Sequence, residues 1–198
     1  MRVEVTTWSL ELISPDQVVP APRPDLDLAL VRARLPSPEL SRFLYTAVGG
    51  DWYWVDRLVW SYEQWLAWQA RPGVETWVAY LEGTPAGYFE LDPSLAGEVE
   101  LAYFGLLPGF LGRGLGGWLL TEALRRAWAL GPERVWVHTC SLDGPHALAN
   151  YRARGMKVFQ EATAVQELEA QSPGPWPGAR PPTYLPPSRG EDKHPLRP

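Results

Sequence analysis

A dense cluster of glycines lies between two apolar runs near the middle of the chain. Residues 106–120 read Leu-Leu-Pro-Gly-Phe-Leu-Gly-Arg-Gly-Leu-Gly-Gly-Trp-Leu-Leu, after a strand-like run at 99–105 and before a helix-like run at 118–130. A glycine turn between a strand and a helix brings backbone N–H groups close to an anion, and the helix N-terminus adds a partial positive charge. The segment therefore predicts a phosphate or pyrophosphate site in a domain that contains both strands and helices.

One interpretation of this cluster is the dinucleotide-binding fingerprint, because Gly112, Gly114 and Gly117 satisfy G-x-G-x-x-G. That fingerprint expects an acidic residue at the end of the next strand, where it contacts the ribose. The next strand-like run, at 134–139, has no acid there, and Glu133 stands at its opposite end. A nucleotide-binding protein is therefore the weaker interpretation.

The same cluster resembles the pyrophosphate loop of the GNAT superfamily of N-acetyltransferases. That loop reads Gln/Arg-x-x-Gly-x-Gly/Ala after a strand that ends in Val-x-Pro. Here Leu106-x-Pro108 supplies the strand end and Gly114-x-Gly116 supplies the core of the loop. Leu111 departs from the pattern, since the family usually carries Gln or Arg at that position.

A second stretch, about 35 residues further on, resembles the helix that closes the cofactor site in GNAT proteins. The family pattern is roughly Asn-x-x-Ala-x-x-x-Tyr-x-x-x-Gly-Phe, and its Ala, Tyr and Gly match Ala147, Tyr151 and Gly155. Gly144 stands in place of the Asn, so we expect Asp143 to cap this helix instead. Two motifs in this order are more specific than either alone, and the resemblance covers roughly residues 75–165.

The resemblance implies an α+β fold, with a mixed, mostly antiparallel sheet flanked by helices in a three-layer αβα sandwich. The local patterns agree: strand-like runs at 2–13 and 26–35, helices beginning at Ser37 and Ser61, a hairpin over 76–91 and a last β segment near 157–168. We expect one GNAT acetyltransferase domain over residues 1–170. The Pro-rich residues 171–198 are expected to form an extended or disordered tail.

The resemblance also implies a reaction, in which an acetyl group passes from acetyl-CoA to a primary amine by direct attack in a ternary complex. Tyr151 matches the tyrosine that donates a proton to the cofactor sulfur, and Glu100 stands where many family members place their general base. The implied cofactor-binding residues are Leu106, Leu107, Leu111, Gly112, Arg113, Gly114, Leu115, Gly116 and Asn150. A non-catalytic acyl-CoA-binding regulatory module is the alternative.

The acceptor amine is expected to bind near the tryptophan-rich segment that precedes residue 69. Asp51 and Asp56, beside Trp52 and Trp54, suit an ammonium group through charge and cation–π attraction. Glu98 is a further candidate for binding the acceptor. Because it shares a strand face with Glu100, it is also the lesser candidate for the general base, and the sequence does not decide whether either carboxylate has that role. The sequence does not distinguish a small-molecule amine from a protein or peptide amine.

Composition excludes several other classes of function. The formal net charge of −5 argues against a nucleic-acid-binding surface and favours a cationic partner. No apolar run approaches the roughly 20 residues of a membrane helix, and a single cysteine with no signal peptide suits the cytoplasm. Three apolar residues of the tail are candidates for packing it against the body or a second copy, so a homodimer stays open: Trp176, Tyr184 and Leu185.

Two chemistries that the sequence suggests at first sight are not expected. His138 and Cys140 share one strand face, but direct attack by an amine needs no covalent intermediate on a cysteine. Three histidines without helical i, i+4 spacing and one cysteine match no recognised metal-binding pattern, so no metal site is expected.

Overall fold

The computed structural model describes residues 1–179, which form one seven-stranded sheet and four α-helices. The strands are β1 (Arg2–Leu12), β2 (Leu28–Ala33), β3 (Glu75–Leu81), β4 (Thr84–Asp92), β5 (Glu98–Leu106), β6 (Arg134–Cys140) and β7 (Lys157–Glu167). The helices are α1 (Pro38–Gly49), α2 (Tyr62–Gln69), α3 (Leu115–Ala129) and α4 (Ala147–Ala153). The strand order is β2-β3-β4-β5-β6-β1-β7, and β5–β6 is the parallel pair among antiparallel neighbours. The expected α+β fold is confirmed.

The first two helices begin where their capping residues predict. The Ser37 hydroxyl accepts a hydrogen bond from the Leu40 N–H at 3.2 Å, and Pro38 occupies the first turn of α1. Ser61 and Gln64 form a reciprocal capping box at the start of α2. Both arrangements satisfy N–H groups that have no partner within the helix, which fixes the helix start.

The sheet separates two apolar cores. The larger core packs α3 against the central strands, with Leu119 and Leu124 of the helix beside Phe89, Leu101 and Val135. The smaller core packs Leu44 and Val48 of α1 against Val78 and Tyr88 on the opposite face. Helices therefore cover both faces of the sheet, as the expected three-layer arrangement requires.

The two central strands β5 and β6 diverge. Their parallel pairing covers only Glu98↔Arg134, Val99↔Val135 and Glu100↔Trp136, although both strands continue further. Ala102 forms a bulge at this point, because Tyr103 and Leu101 face consecutive residues of β4. A bulge bends its strand and ends regular pairing. We call the space between residues 101–106 and 137–140 the strand gap.

The beginning of the predicted tail contacts the body of the protein. The Gly174 N–H donates to the Gly50 carbonyl at 3.0 Å, and just before the tail the Tyr53 hydroxyl donates to the Glu169 carbonyl at 3.2 Å. The part of the predicted tail from residue 180 onward, including Tyr184 and Leu185, lies outside the described residues. Among residues 1–179, no helix is both long enough and apolar enough to cross a bilayer.

Candidate functional site

A cavity of about 1020 Å³ lies at the strand gap and is lined from both faces of the sheet. Tyr45 and Trp54 contribute from the side of α1, and Gly116 and Tyr151 contribute from the side of α3 and α4. The volume is at the upper end of the range typical for small-molecule sites. One cavity can therefore bring together ligands that approach from opposite faces.

The glycine cluster forms an open turn at one end of this cavity. Gly112 and Gly114 have φ values of 74° and 77°, which are left-handed conformations that favour glycine. A Cβ atom at either residue would meet nothing within 4 Å. Gly114 is also the N-cap of α3, and no side chain caps this helix. The first N–H groups of α3 are thus available to an anion in the turn.

Most of the predicted cofactor-binding residues line the cavity: Leu106, Leu111, Gly112, Gly114, Leu115, Gly116 and Asn150. Two do not. The Arg113 guanidinium lies 5.7 Å from the centre of the Phe110 ring, and the Leu107 N–H donates to the Ala86 carbonyl at 2.9 Å. Because successive residues of a strand direct their backbone groups to opposite sides, Leu106 directs its own toward the strand gap.

Helix α4 places Tyr151 beside this turn. The Tyr151 side chain is buried, and its ring lies 6.0 Å from that of Phe104 in an edge-on contact. Burial raises the pKa of Tyr151 far above its ordinary value, so the phenol keeps its proton at neutral pH. The neighbouring Asn150 amide donates to the Gly116 carbonyl at 3.3 Å, which ties α4 to the first turn of α3.

The expectation that Asp143 caps α4 is wrong. The helix begins at Ala147, and its N-cap His146 makes no side-chain hydrogen bond to it. The Asp143 carboxylate instead accepts from the Thr139 hydroxyl at 2.6 Å and from the Cys140 N–H at 2.9 Å. It also accepts from the Trp54 indole N–H at 3.3 Å, so it joins the end of β6 to the tryptophan-rich segment.

The two predicted strand carboxylates share a face of β5, as their alternation with buried Val99 and Leu101 indicates. Neither Glu98 nor Glu100 is among the residues that line the cavity. Glu98 lies 3.5 Å from the Arg134 guanidinium, whereas the Glu100 carboxylate lies 3.1 Å from His138 Nδ1.

His138 itself does line the cavity, on β6 beside the strand gap. The hydrogen bond to Glu100 raises the pKa of His138 above its ordinary value, and burial opposes this increase only in part. Sequence reasoning considered His138 only as a partner of Cys140. The pairing of β5 with β6, which places His138 beside Glu100, has no local signal in the sequence.

Aromatic side chains form the opposite wall of the cavity. Of the residues predicted to bind the acceptor, Trp52, Trp54 and Asp56 line the cavity, whereas Asp51 does not. Sequence reasoning also missed two tyrosines in this wall, whose rings lie close to that of Trp54: Tyr45 at 5.6 Å and Tyr103 at 5.0 Å.

A buried ion pair supports this aromatic wall from behind. The Arg57 guanidinium lies 2.9 Å from the Glu90 carboxylate, and both side chains are almost completely buried. The Arg57 guanidinium also lies 4.2 Å from the centre of the Tyr103 ring. The Trp68 indole N–H donates to the same carboxylate oxygen at 2.7 Å. These contacts fix the position of the wall from the interior of the protein.

Within the described part of the chain, no group of three or more His, Cys, Asp or Glu side chains is arranged to hold a metal ion. Cys140 is a free thiol that lines the cavity, and burial raises its pKa. The functional groups that line the cavity, beside the aromatic wall and the backbone of the glycine turn, are a phenol, a thiol, two imidazoles and two carboxylates, which belong to Tyr151, Cys140, His138, His146, Asp56 and Asp143.

Comparison with known proteins identifies the family to which this architecture belongs. The model of the acetyltransferase (GNAT) family matches residues 40–156, which is more than half of the chain. The chain belongs to the GNAT acetyltransferase family. This family normally uses acetyl-CoA, and its members act in general on amine acceptors. A search of curated protein sequences found no match to this chain.

Solved structures share the GNAT fold. The GCN5-related N-acetyltransferase from Sphaerobacter thermophilus matches with a TM-score of 0.61 and 19% identity, over 81% of this chain and 50% of the other. The corresponding protein from Kribbella flavida matches with a TM-score of 0.60 and 18% identity, over 87% and 60%. The present chain thus spans only 50–60% of the length of these two proteins.

An aminoglycoside acetyltransferase from an uncultured soil metagenomic sample, meta-AAC0020, is also similar. Its TM-score is 0.54 with 16% identity, over 64% of this chain and 86% of the other. At such identities the likeness shows the fold alone.

Proposed function

We propose that this protein transfers an acetyl group from acetyl-CoA to a primary amine, on a small molecule or a peptide, by direct attack in a ternary complex. The observation that carries the proposal is that one continuous cavity spans the strand gap. It joins an open glycine turn and a buried tyrosine on one face of the sheet to an aromatic wall on the other. The free thiol of Cys140 suits a reducing compartment, and we propose the cytoplasm.

The residues present fit acetyl-CoA. Open space at Gly112 and Gly114, together with the uncapped N-terminus of α3, suits a pyrophosphate. The backbone of Leu106 faces the strand gap, where it suits the acetyl carbonyl or the pantetheine chain. When bound, acetyl-CoA supplies an acetyl thioester, whose leaving thiolate needs a proton.

The chain offers groups for both proton transfers. We assign Tyr151 as the donor to the leaving sulfur, because its raised pKa keeps the phenol protonated at neutral pH. We assign Glu100 to the deprotonation of the amine, because its carboxylate, although outside the cavity wall, contacts His138, which lines the cavity. Trp52 and Trp54 are proposed to bind the acceptor, with Asp51 and Glu98 as more remote candidates because they lie outside the cavity wall.

The proposal is tested by thiol release from acetyl-CoA with a panel of amines, including arylalkylamines, polyamines, aminoglycosides and peptides with a free N-terminus. We expect release with at least one class. For that amine, we expect Tyr151→Phe to lower kcat by about 10²-fold or more, which is typical for loss of a general acid.

Tyr88→Phe is the matched control. Tyr88 is as buried as Tyr151 but lies in the smaller core, outside the cavity wall. The kcat of Tyr88→Phe should therefore stay at the wild-type value. Acetyl-CoA binding without thiol release for every amine would contradict transfer and would favour a non-catalytic acyl-CoA-binding module. Equal kcat for wild type and Tyr151→Phe would contradict the role of the phenol.

A further inference from the structure

The point where β5 and β6 part carries an acid–imidazole pair. Glu100 is the last paired residue of β5 with a partner on β6, and His138 lies two residues beyond that partner, Trp136. The Glu100 carboxylate lies 3.1 Å from His138 Nδ1. Only the histidine of this pair lines the cavity.

We propose that His138 is the general base that takes the proton of the acceptor amine, and that Glu100 is a positioning residue which acts through it. This inference rests on the proposed acetyl transfer and replaces direct action of Glu100 by action through the imidazole. A hydrogen bond from Nδ1–H to the carboxylate fixes the ring and leaves the lone pair on Nε2 as the basic site.

The faces of the sheet place the two proton-transfer groups on opposite sides. Val137 is buried in the larger core, on the side of α3, so His138 points to the side of α1. That is the side of the aromatic wall formed by Tyr45, Trp54 and Tyr103. Tyr151 contacts Phe104 on the other side. The base is therefore on the acceptor side of the strand gap, and the acid is on the cofactor side.

The charges around His138 favour its protonated form. Glu100, Asp143 and Asp56 all raise the pKa of this imidazole, and burial lowers it by less. Cys140 lies on the same strand face, but its thiol is neutral because burial raises its pKa. Arg134 lies at the other end of β6, paired with Glu11 at 3.0 Å. In this setting His138 accepts a proton readily, and its imidazole is neutral, and so able to act as a base, only at a pH above its raised pKa.

The protons and electrons balance. The acceptor enters as an ammonium ion, and His138 Nε2 takes one proton so that the nitrogen lone pair can attack the acetyl carbon. The N–C bond forms, the C–S bond breaks, and Tyr151 protonates the leaving sulfur. The acetylated nitrogen gives up its second proton, which restores Tyr151, and His138 passes its proton to solvent. The net products are an amide, a thiol and one proton.

The first test is a titration of the histidine side chains by NMR, without acetyl-CoA or amine. Resonances of His138 are assigned by their loss in His138→Gln. We expect the pKa of His138 to lie above 6.5 in the wild type and to be lower in Glu100→Gln, because that variant removes the negative charge. Glu11→Gln removes a carboxylate that does not contact His138 and should leave this pKa unchanged. An equal pKa in wild type and Glu100→Gln would overturn the pair.

The second test is the pH dependence of kcat/KM with the best amine of the panel. Because the neutral imidazole is the active form, kcat/KM should rise with pH through the pKa that NMR reports, and this rise should move to lower pH in Glu100→Gln. His138→Gln should lose the rise and lower kcat by about 10²-fold or more. Added imidazole should restore part of the activity of His138→Ala.

Each outcome has a distinct meaning. An active His138→Gln variant with an unchanged pH profile overturns the role as base while leaving acetyl transfer intact. If no amine is acetylated by the wild type, both the proposed function and the role as base fail, and the NMR titration still decides whether the pair exists. His138 is about half exposed, so substitutions there should fold, which circular dichroism and Tm check.

Discussion

At the scale of single residues, Arg57 and Glu90 are expected to contribute most to stability, because they carry opposite charges in the interior of the protein. Arg57 has a relative exposure of 5% and Glu90 of 1%. The Glu90 carboxylate also accepts from the Trp68 indole N–H and from the Thr76 hydroxyl. Removal of one partner would leave the other charge desolvated and unpaired, which costs far more than the loss of a surface ion pair.

Arg57→Met should therefore lower the free energy of unfolding by about 3–5 kcal/mol, measured by urea denaturation. Arg125→Ala is the control, because Arg125 forms an exposed ion pair with Glu122 on α3, and its loss should change stability by less than about 1 kcal/mol. A small effect at both positions would mean that the buried pair is not desolvated in solution.

At the scale of elements, the turn that leads into α3 combines a left-handed backbone conformation with a proposed ligand role. Gly114 has a φ of 77° in open space, and so does Gly83, with a φ of 78°, in the turn between β3 and β4. Only Gly114 lies in the cavity wall. The two glycines thus differ in position but not in backbone conformation.

Gly114→Ala and Gly83→Ala should each destabilise the protein by about 1–2 kcal/mol, the cost of a left-handed residue with a side chain. Only Gly114→Ala should weaken acetyl-CoA binding, measured by calorimetry, because a methyl group there would occupy space beside the first N–H groups of α3. Equal affinities for the two variants would argue against the turn as the pyrophosphate site.

The elements themselves could be predicted because their signals are local. Ser37 and Ser61 mark helix starts through hydrogen bonds to residues three positions away, and the glycine cluster marks the turn before α3. The bulge at Ala102 could not be predicted in this way, since it exists only relative to β4. The same applies to the contact between Glu100 and His138, which requires β5 and β6 to be parallel neighbours. The prediction that Asp143 caps α4 is wrong for the same reason. Its bond to Trp54 joins segments that are distant in the sequence, so it has no local signal.

At the scale of the whole molecule, the acidic balance of the chain should influence how a cationic acceptor approaches. The formal net charge is −5, and Asp56 lines the cavity on the side of the aromatic wall. A carboxylate at the cavity acts on the bound amine, whereas a distant carboxylate contributes only through the overall field.

Asp56→Asn should raise the KM of a cationic amine by roughly two- to fivefold at low salt, as expected for an exposed charge pair, with a smaller effect at high salt. The comparison is made at a pH above the acid limb of the profile, so that the protonation of His138 does not contribute. Asp25→Asn makes the same change in net charge outside the cavity wall and should leave KM nearly unchanged. Equal effects of both variants would indicate steering by net charge alone.

The position of β1 in the sheet has a consequence for how the molecule is made. β1 lies between β6 and β7, the last two strands of the described residues, and pairs with both along most of its length. On the ribosome this strand emerges long before either neighbour has been synthesised, so its hydrogen-bonding edges have no native partner for most of translation. Pairings between such distant segments form slowly and expose the chain to association meanwhile. The nascent protein therefore completes its sheet only after the segment beyond Arg134 has been released.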